Sequence, residues 1–437
     1  MPTPQRLVLS NGLRVLLDPL PTVPAVAVSV HYDVGFRSEP EGRSGFAHLF
    51  EHLMFQGSRR HPKMAHWRFV QGHGGIVNGS THQDYTEYYQ LLPPHCLDSV
   101  LAMEADRMVS LRVTEENLDN QRAVVKEEIR LNIHNRAYGG FPWIPLPGLL
   151  YRSFANSHNG YGALADLDAA TVADAVDFYG SHYSPANAVL AVAGAFDPDE
   201  AAGLVKRHFG DLPRVRRPEP APLDEPPLVR TLHGRHDDPH APLPALAVGH
   251  RLPDPAADLD AYVAHMVLCE TLTGGPTSAL HARLVRDDQL AVHVAAGCGL
   301  FNALDARHPD TLAAVITHHT HVAPETVLAA LDAELSRLSD ESEVEAHAAV
   351  ARVRLATRTH RRNADLLARA RGVGVYELIH GRPALMDELP DRIGSVTSPA
   401  IAAAARSMLT SSRAVLHLIP GSTPAGATRT EVARQDA

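Results

Sequence analysis

Two short runs decide how this chain is read: AVAVSVHYDVG at residues 25–35 and PALAVGHRLP at residues 244–253. Each is an apolar stretch bounded by turn-forming residues, the pattern of a buried strand. A second pair follows, NAVLAVAGAF at 187–196 and RAVLHLIPG at 413–421. Both pairs are offset by roughly 220 residues, the spacing of two copies of one α/β unit. Between them, LPRVRRPEPAPLDEPPLVRTLHGRHDDPHAPL at 212–243 is dense in proline and charge and reads as a linker. A chain of 437 residues is also too long for one core of ordinary size. The expected division is a first half over 1–215, a Pro-rich linker over 216–243, a second half over 244–423 and a disordered tail over 424–437.

Composition narrows the class. Apolar residues make up 45%, enough to bury real cores, and the formal charge of −10 is spread without a basic stripe. Nucleic acid is therefore not expected as a partner. Cys96, Cys269 and Cys298 are odd in number and far apart in sequence, which implies neither a disulfide framework nor a cysteine zinc site. The first residues run straight into RLVLSNGLRVLLDP (6–19), a hairpin pattern turning at Asn11-Gly12, with no signal-peptide pattern. No stretch approaches the roughly 18 apolar residues of a membrane span, so a cytoplasmic location without membrane contact is expected.

Further along, SGFAHLFEHLMFQGS (44–58) reads as an apolar helix, with Ser44 placed to cap it. GGIVNGSTHQDYTEYYQLLP (74–93) alternates as β-structure, with a turn expected near Asn78-Gly79. Residues 94–111 and 114–136 have helical period, 171–183 a short helix, and 185–196 a strand followed by a helix.

The helix at 44–58 carries His48-Leu-Phe-Glu51-His52. Residues four apart share a helix face, so both imidazoles can meet one ion. Zinc takes such donors, and Glu51 borders the same face as a candidate general base. This is the H-x-x-E-H pattern. With 27 histidines in the chain, a chance match arises in roughly one chain in ten of this composition, so the motif needs company. A third ligand is offered by Glu127 or Glu128 in NLDNQRAVVKEEIRLN (117–132), and spacing alone does not choose between them.

The surroundings of the motif supply that company. VGFRSEPEGRSGFAHLFEHLMFQGS (34–58), the strand segment at 74–93, LDSVLAMEADRM (97–108), NQRAVVKEEIR (120–130) and FYGSHYSPANAVLAVAGAFD (178–197) together resemble the pitrilysin family of zinc peptidases, which includes insulysin and the mitochondrial processing peptidase. The resemblance covers residues 7–210 well and later residues less. It implies an α+β fold of two homologous α/β sandwich halves, each a mixed sheet with helices packed on it, closing as a clamshell. It implies one Zn2+ held by His48, His52 and Glu128, with Glu51 activating water. Gln121 stands where many members carry a glutamate, and would support a ligand histidine from the second shell. Asn78, Gly79 and Ser80 fall where the family's edge strand receives peptide substrate.

The second half departs from the family pattern. Members usually carry an Arg and a Tyr there that hold the substrate backbone, in a pattern like L-R-E-x-x-G-L-A-Y. Here LVRDDQLAV (284–292) puts Val285 and Val292 at those positions. Some relatives divide the work between a zinc-bearing subunit and a metal-free one. The expectation is a zinc endopeptidase or its catalytic subunit, paired with a homologous substrate-holding subunit or with itself. The alternative is a non-catalytic scaffold that kept the fold. THHTHVAP (317–324) clusters His318, His319 and His321, but without a helical i, i+4 pair.

Overall fold

The computed structural model describes residues 4–421. The first sheet holds β1 (Gln5–Val8), β2 (Arg14–Pro19), β3 (Val26–Tyr32), β4 (Ile76–Thr81), β5 (Thr86–Leu92) and β6 (Ala188–Gly194), in the order β1-β2-β6-β3-β5-β4. The second holds β7 (Leu232–Asp238), β8 (Ala245–Arg251), β9 (Ala291–Cys298), β10 (Thr311–His318) and β11 (Ala414–Pro420), in the order β7-β11-β8-β10-β9. Apart from β1, the two sheets are one pattern repeated. β2 runs parallel to β6 as β7 does to β11, and the remaining neighbours in both sheets are antiparallel. The runs at 25–35 and 244–253 become β3 and β8, and those at 187–196 and 413–421 become β6 and β11.

β3 is buried along its whole length, and its period of two explains how. Val26, Val28, Val30 and Tyr32 face a core shared with helices of the first half. Ala27 and His31 face the other way, onto the helix Leu366–His380 from late in the chain. Small residues allow that approach: Ala27 and Ala193 meet Ala370, and a Cβ on Gly374 would sit 2.2 Å from His31 Cε1. The favour is returned on the second sheet. Phe141, Leu146, Leu150 and Tyr151 from the first half pack on Ala245, Ala247, Leu416 and Leu418. Each half thus lends an element to cover the other's sheet, and the packing boundary differs from the sequence boundary.

Three expectations are corrected. Asn78-Gly79 is not a turn; both residues lie inside β4, and the chain reverses over 82–85. The Pro-rich segment at 216–243 is not all linker. Its end, LHGRHDD, forms β7 at the sheet edge, where alternate exposure of charged side chains is tolerated. Ser44 does not cap the motif helix. Its hydroxyl donates to Asp166 at 2.6 Å and accepts the Ala163 N–H at 2.9 Å. The helix N-terminus is instead capped by the Glu39 carboxylate, which accepts the N–H groups of Gly45 at 2.8 Å and Ala47 at 2.7 Å. The tail at 424–437 lies outside the described residues. Among those described, no helix is long and apolar enough to cross a membrane.

Candidate metal centre

The helix Phe46–Leu53 buries Leu49, Phe50 and Leu53 against the first core and turns His48 and His52 the other way. The two rings meet edge to face with centroids 5.0 Å apart. The helix Glu115–Ile129, capped by the Thr114 hydroxyl, brings Glu128 to them from its last turn. Glu128 Oε2 lies 3.6 Å from His48 Nε2 and 3.4 Å from His52 Nε2. The edge of a tetrahedron with zinc–donor arms of about 2.0 Å is roughly 3.3 Å, so these separations fit a shared tetrahedral ion. One donor atom from each of the three residues lies within 4.8 Å of the others. Glu127 points away, to an exposed pair with Arg130 at 3.2 Å. Among the described residues, the second half contains no comparable group of three donors, His318, His319 and His321 included.

The electrostatics differ between the two histidines. Burial, then the neighbouring His52, pushes His48 down to about 4 in spite of Glu128, so this imidazole is neutral and free to donate a lone pair. For His52, burial is outweighed by the hydrogen bond to Glu128 and the charge of Glu51, and the net shift is upward. Gln121 is buried on the helix of Glu128 and is among the groups that hold the His52 proton, through a side-chain hydrogen bond. Glu128 is held below the usual carboxylate range, first by its bond to His52. His48 Nδ1 finds no partner among the described residues, and the ring is steadied by Tyr161 edge to face at 5.3 Å.

Glu51 sits beside this triad. Its Oε2 accepts the Thr81 hydroxyl at 2.7 Å, and burial raises its carboxyl above the ordinary value. Thr81, on β4, falls within the strand segment at 74–93 that carries part of the family resemblance, but its place beside Glu51 was not foreseen. Gly79 gives Glu51 room: a Cβ there would lie 3.0 Å from Glu51 Cγ. Asn78 is exposed on the same strand and accepts the Gly79 N–H at 2.9 Å through its side chain. Ser80 Oγ donates to Glu87 at 2.9 Å. β4 is paired on one side only, so its outer edge is open to an added strand.

The pocket over the triad has an aromatic wall that sequence reasoning also missed. Phe36, Trp143 and Tyr161 come from the first half and Phe301 from the second, with the aliphatic Leu300 beside it. Phe301 meets Trp143 at 5.7 Å and Phe36 at 6.2 Å, both edge on. Val285 packs against the second core and Val292 is exposed at the start of β9, and neither lines the pocket.

Residues 14–136 match insulinase (peptidase family M16), and residues 169–352 match the peptidase M16 inactive domain. The chain is 31% identical over 304 residues to the zinc protease PqqE of Helicobacter pylori, covering 67% of this chain and 66% of that protein. It is 26% identical over 424 residues to an uncharacterized zinc protease of Streptomyces coelicolor, covering 93% of this chain and 87% of that one. A crystal structure of a protease from Helicobacter pylori superposes with a TM-score of 0.87 at 22% identity, over 96% of this chain and 100% of that chain. A duplicated α/β scaffold with an H-x-x-E-H helix on its first sheet defines a class built as zinc peptidases are. The chain belongs to peptidase family M16.

Proposed function

We propose that the chain is a zinc-dependent endopeptidase, or the metal-bearing subunit of one, acting on peptides and flexible segments. The observation that carries this reading is the convergence of His48 Nε2, His52 Nε2 and Glu128 Oε2 at tetrahedral-edge separations, with Glu51 alongside. A zinc ion held by those three donors would supply a Lewis acid for the scissile carbonyl and for the attacking water. Glu51 takes the proton of that water on its carboxylate and passes it to the leaving amine nitrogen. The Thr81 hydroxyl fixes which way the carboxylate points. The open edge of β4 at Asn78–Ser80 pairs with an extended peptide, and the aromatic wall shields the reacting bond from bulk water.

The second half lacks the family's Arg and Tyr at Val285 and Val292, which supports a divided site. A homologous second chain would supply those groups, and a homodimer is the other arrangement. Native mass spectrometry of the complex from its own host tests this. A second chain of similar size supports it, and full activity of the isolated monomer overturns it.

The central experiment is Glu51→Gln. With the metal retained, hydrolysis of a fluorogenic peptide should fall by about 10²–10⁴-fold, the worth of a general base. An unchanged rate removes Glu51 from the reaction, whereas a wild-type chain that holds no metal and cuts nothing favours a scaffold role.

A further inference from the structure

A second cluster of His and Cys side chains lies at the start of β4. His73 ends the helix Ala65–Gly72, two residues before β4's lead-in at Gly75. His95 and Cys96 belong to the short turn Pro94–Cys96 that feeds the helix Leu97–Ser110. One donor atom from each of the three lies within 4.8 Å of the others. The imidazoles are exposed, and Cys96, 2% exposed, lies beneath them. None of the three takes part in the reaction proposed above.

Their setting is that of ligands rather than of chance neighbours. His73 Nδ1 lies 2.8 Å from the Phe69 carbonyl, which accepts its proton and leaves Nε2 as a lone-pair donor. Ligand histidines are oriented in this way, by a carbonyl on the opposite nitrogen. The His73 backbone is itself held, its N–H donating to Phe69 O at 3.3 Å and Val70 O at 3.2 Å. His95 and Cys96 sit on a proline-started turn closed by the Cys96 N–H on Pro93 O at 3.0 Å. All three donors therefore stand on fixed backbone.

We propose that His73, His95 and Cys96 form a second metal site, for a borderline-to-soft transition ion such as zinc. Two imidazoles and one thiolate are a donor set for zinc, cobalt or copper(I), and a poor one for magnesium or calcium. On binding, the Cys96 thiol loses its proton to solvent and sulfur joins the metal. The ion ties the end of the helix Ala65–Gly72 to the start of the helix Leu97–Ser110. It braces the entry to β4, whose far end carries Gly79 and Thr81 beside Glu51. The site stands on its own residues and does not depend on the peptidase reading.

The test is cobalt(II) titration of metal-free full chain against a chromophoric chelator, with absorption spectra. Two equivalents are expected, one with the near-ultraviolet charge-transfer band of a cobalt–thiolate bond. The His48/His52/Glu128 triad contains no sulfur and gives no such band. His73→Ala, at an exposed position, should remove the band and one equivalent, and Cys96→Ser should do the same. His48→Ala should remove the other equivalent and leave the band. One equivalent with no band overturns the proposal, as does a band unchanged in His73→Ala, which would assign it to Cys269 or Cys298. Binding too weak to compete with the chelator means an adventitious ion only, and also overturns it. If Cys96→Ser does not fold, His73→Ala still decides.

Discussion

At the scale of single residues, the decisive group beside the triad is Thr81. Burial raises Glu51, and the Thr81 hydrogen bond is the largest force pulling it back. Removing the hydroxyl in Thr81→Val should let Glu51 rise further, so its base form is lost at a higher pH. The acid limb of the pH–rate profile should move to higher pH, and kcat should fall by about tenfold as the carboxylate loses its fixed direction. Metal content should not change, since Thr81 touches no donor. A profile that does not move would show that Thr81 merely fills space. This residue also marks the limit of what a sequence offers. His48, Glu51 and His52 announce themselves because a helix converts i, i+4 spacing into one face. Glu128 and Glu127 are adjacent and chemically identical, so helix spacing alone does not separate them; the family resemblance favours Glu128, and the structure turns Glu128 to the histidines and Glu127 to Arg130. Thr81 lies in the strand segment that carries part of the family resemblance, yet its contact with Glu51, 30 positions away, has no local signature.

At the scale of elements, the helix Leu366–His380 is the member with the most to explain. It belongs by sequence to the second half and packs on the first sheet. Arg369 carries it there, paired with Asp18 of β2 at 2.5 Å, the two side chains 1% and 0% exposed. Its other partner is Asp387 at 2.7 Å. Cutting one side of a buried pair leaves a charge without its partner, so Asp18→Ala should cost about 3 kcal/mol, the low end for such a break because Asp387 remains. Replacing both partners by apolar groups in Asp18→Leu/Arg369→Met should recover much of that loss. Denaturant unfolding of the two variants measures it. A single variant within about 0.5 kcal/mol of wild type would mean that the pair does not hold the helix. The misread elements have physical reasons of the same long-range kind. Asn-Gly is the strongest short-range turn signal, yet β5 pairs with both residues and extends the strand through them. The charged run at β7 became a strand because β11 offered it a parallel partner.

At the scale of the whole molecule, the repeat was legible because buried strands must be apolar and their order is fixed by the chain. The exchange of elements between halves was not, because it depends on which outer face each sheet leaves uncovered. Covering both faces of a sheet also buries polar groups, and on the face of the second sheet packed by its own helices one is buried with consequences for acid stability. His250 on β8 is 3% exposed, with Nδ1 3.3 Å from Ser411 Oγ and Nε2 without a partner among the described residues. Burial, then the Arg413 charge and His265, pushes it down to about 3. Above about pH 6.5 this residue is neutral both folded and unfolded and contributes nothing to the pH dependence. Below that, only the unfolded chain takes up the proton, so stability is lost as pH falls from 6.5 towards the folded value. The loss from this residue should approach about 1.4 kcal/mol per pH unit, or about 2 kcal/mol by pH 5. His250→Gln cannot titrate, so its stability should fall less steeply over the same window, whatever its starting value at pH 7.5. Groups that pull the other way, such as His82, whose burial is outweighed by Asp305, are present in both proteins and cancel in the difference. Unfolding midpoints at pH 7.5, 6 and 5 for the two proteins give the answer. Parallel slopes would mean that His250 is protonated in the folded chain, and that β8 opens to water far more readily than its burial implies.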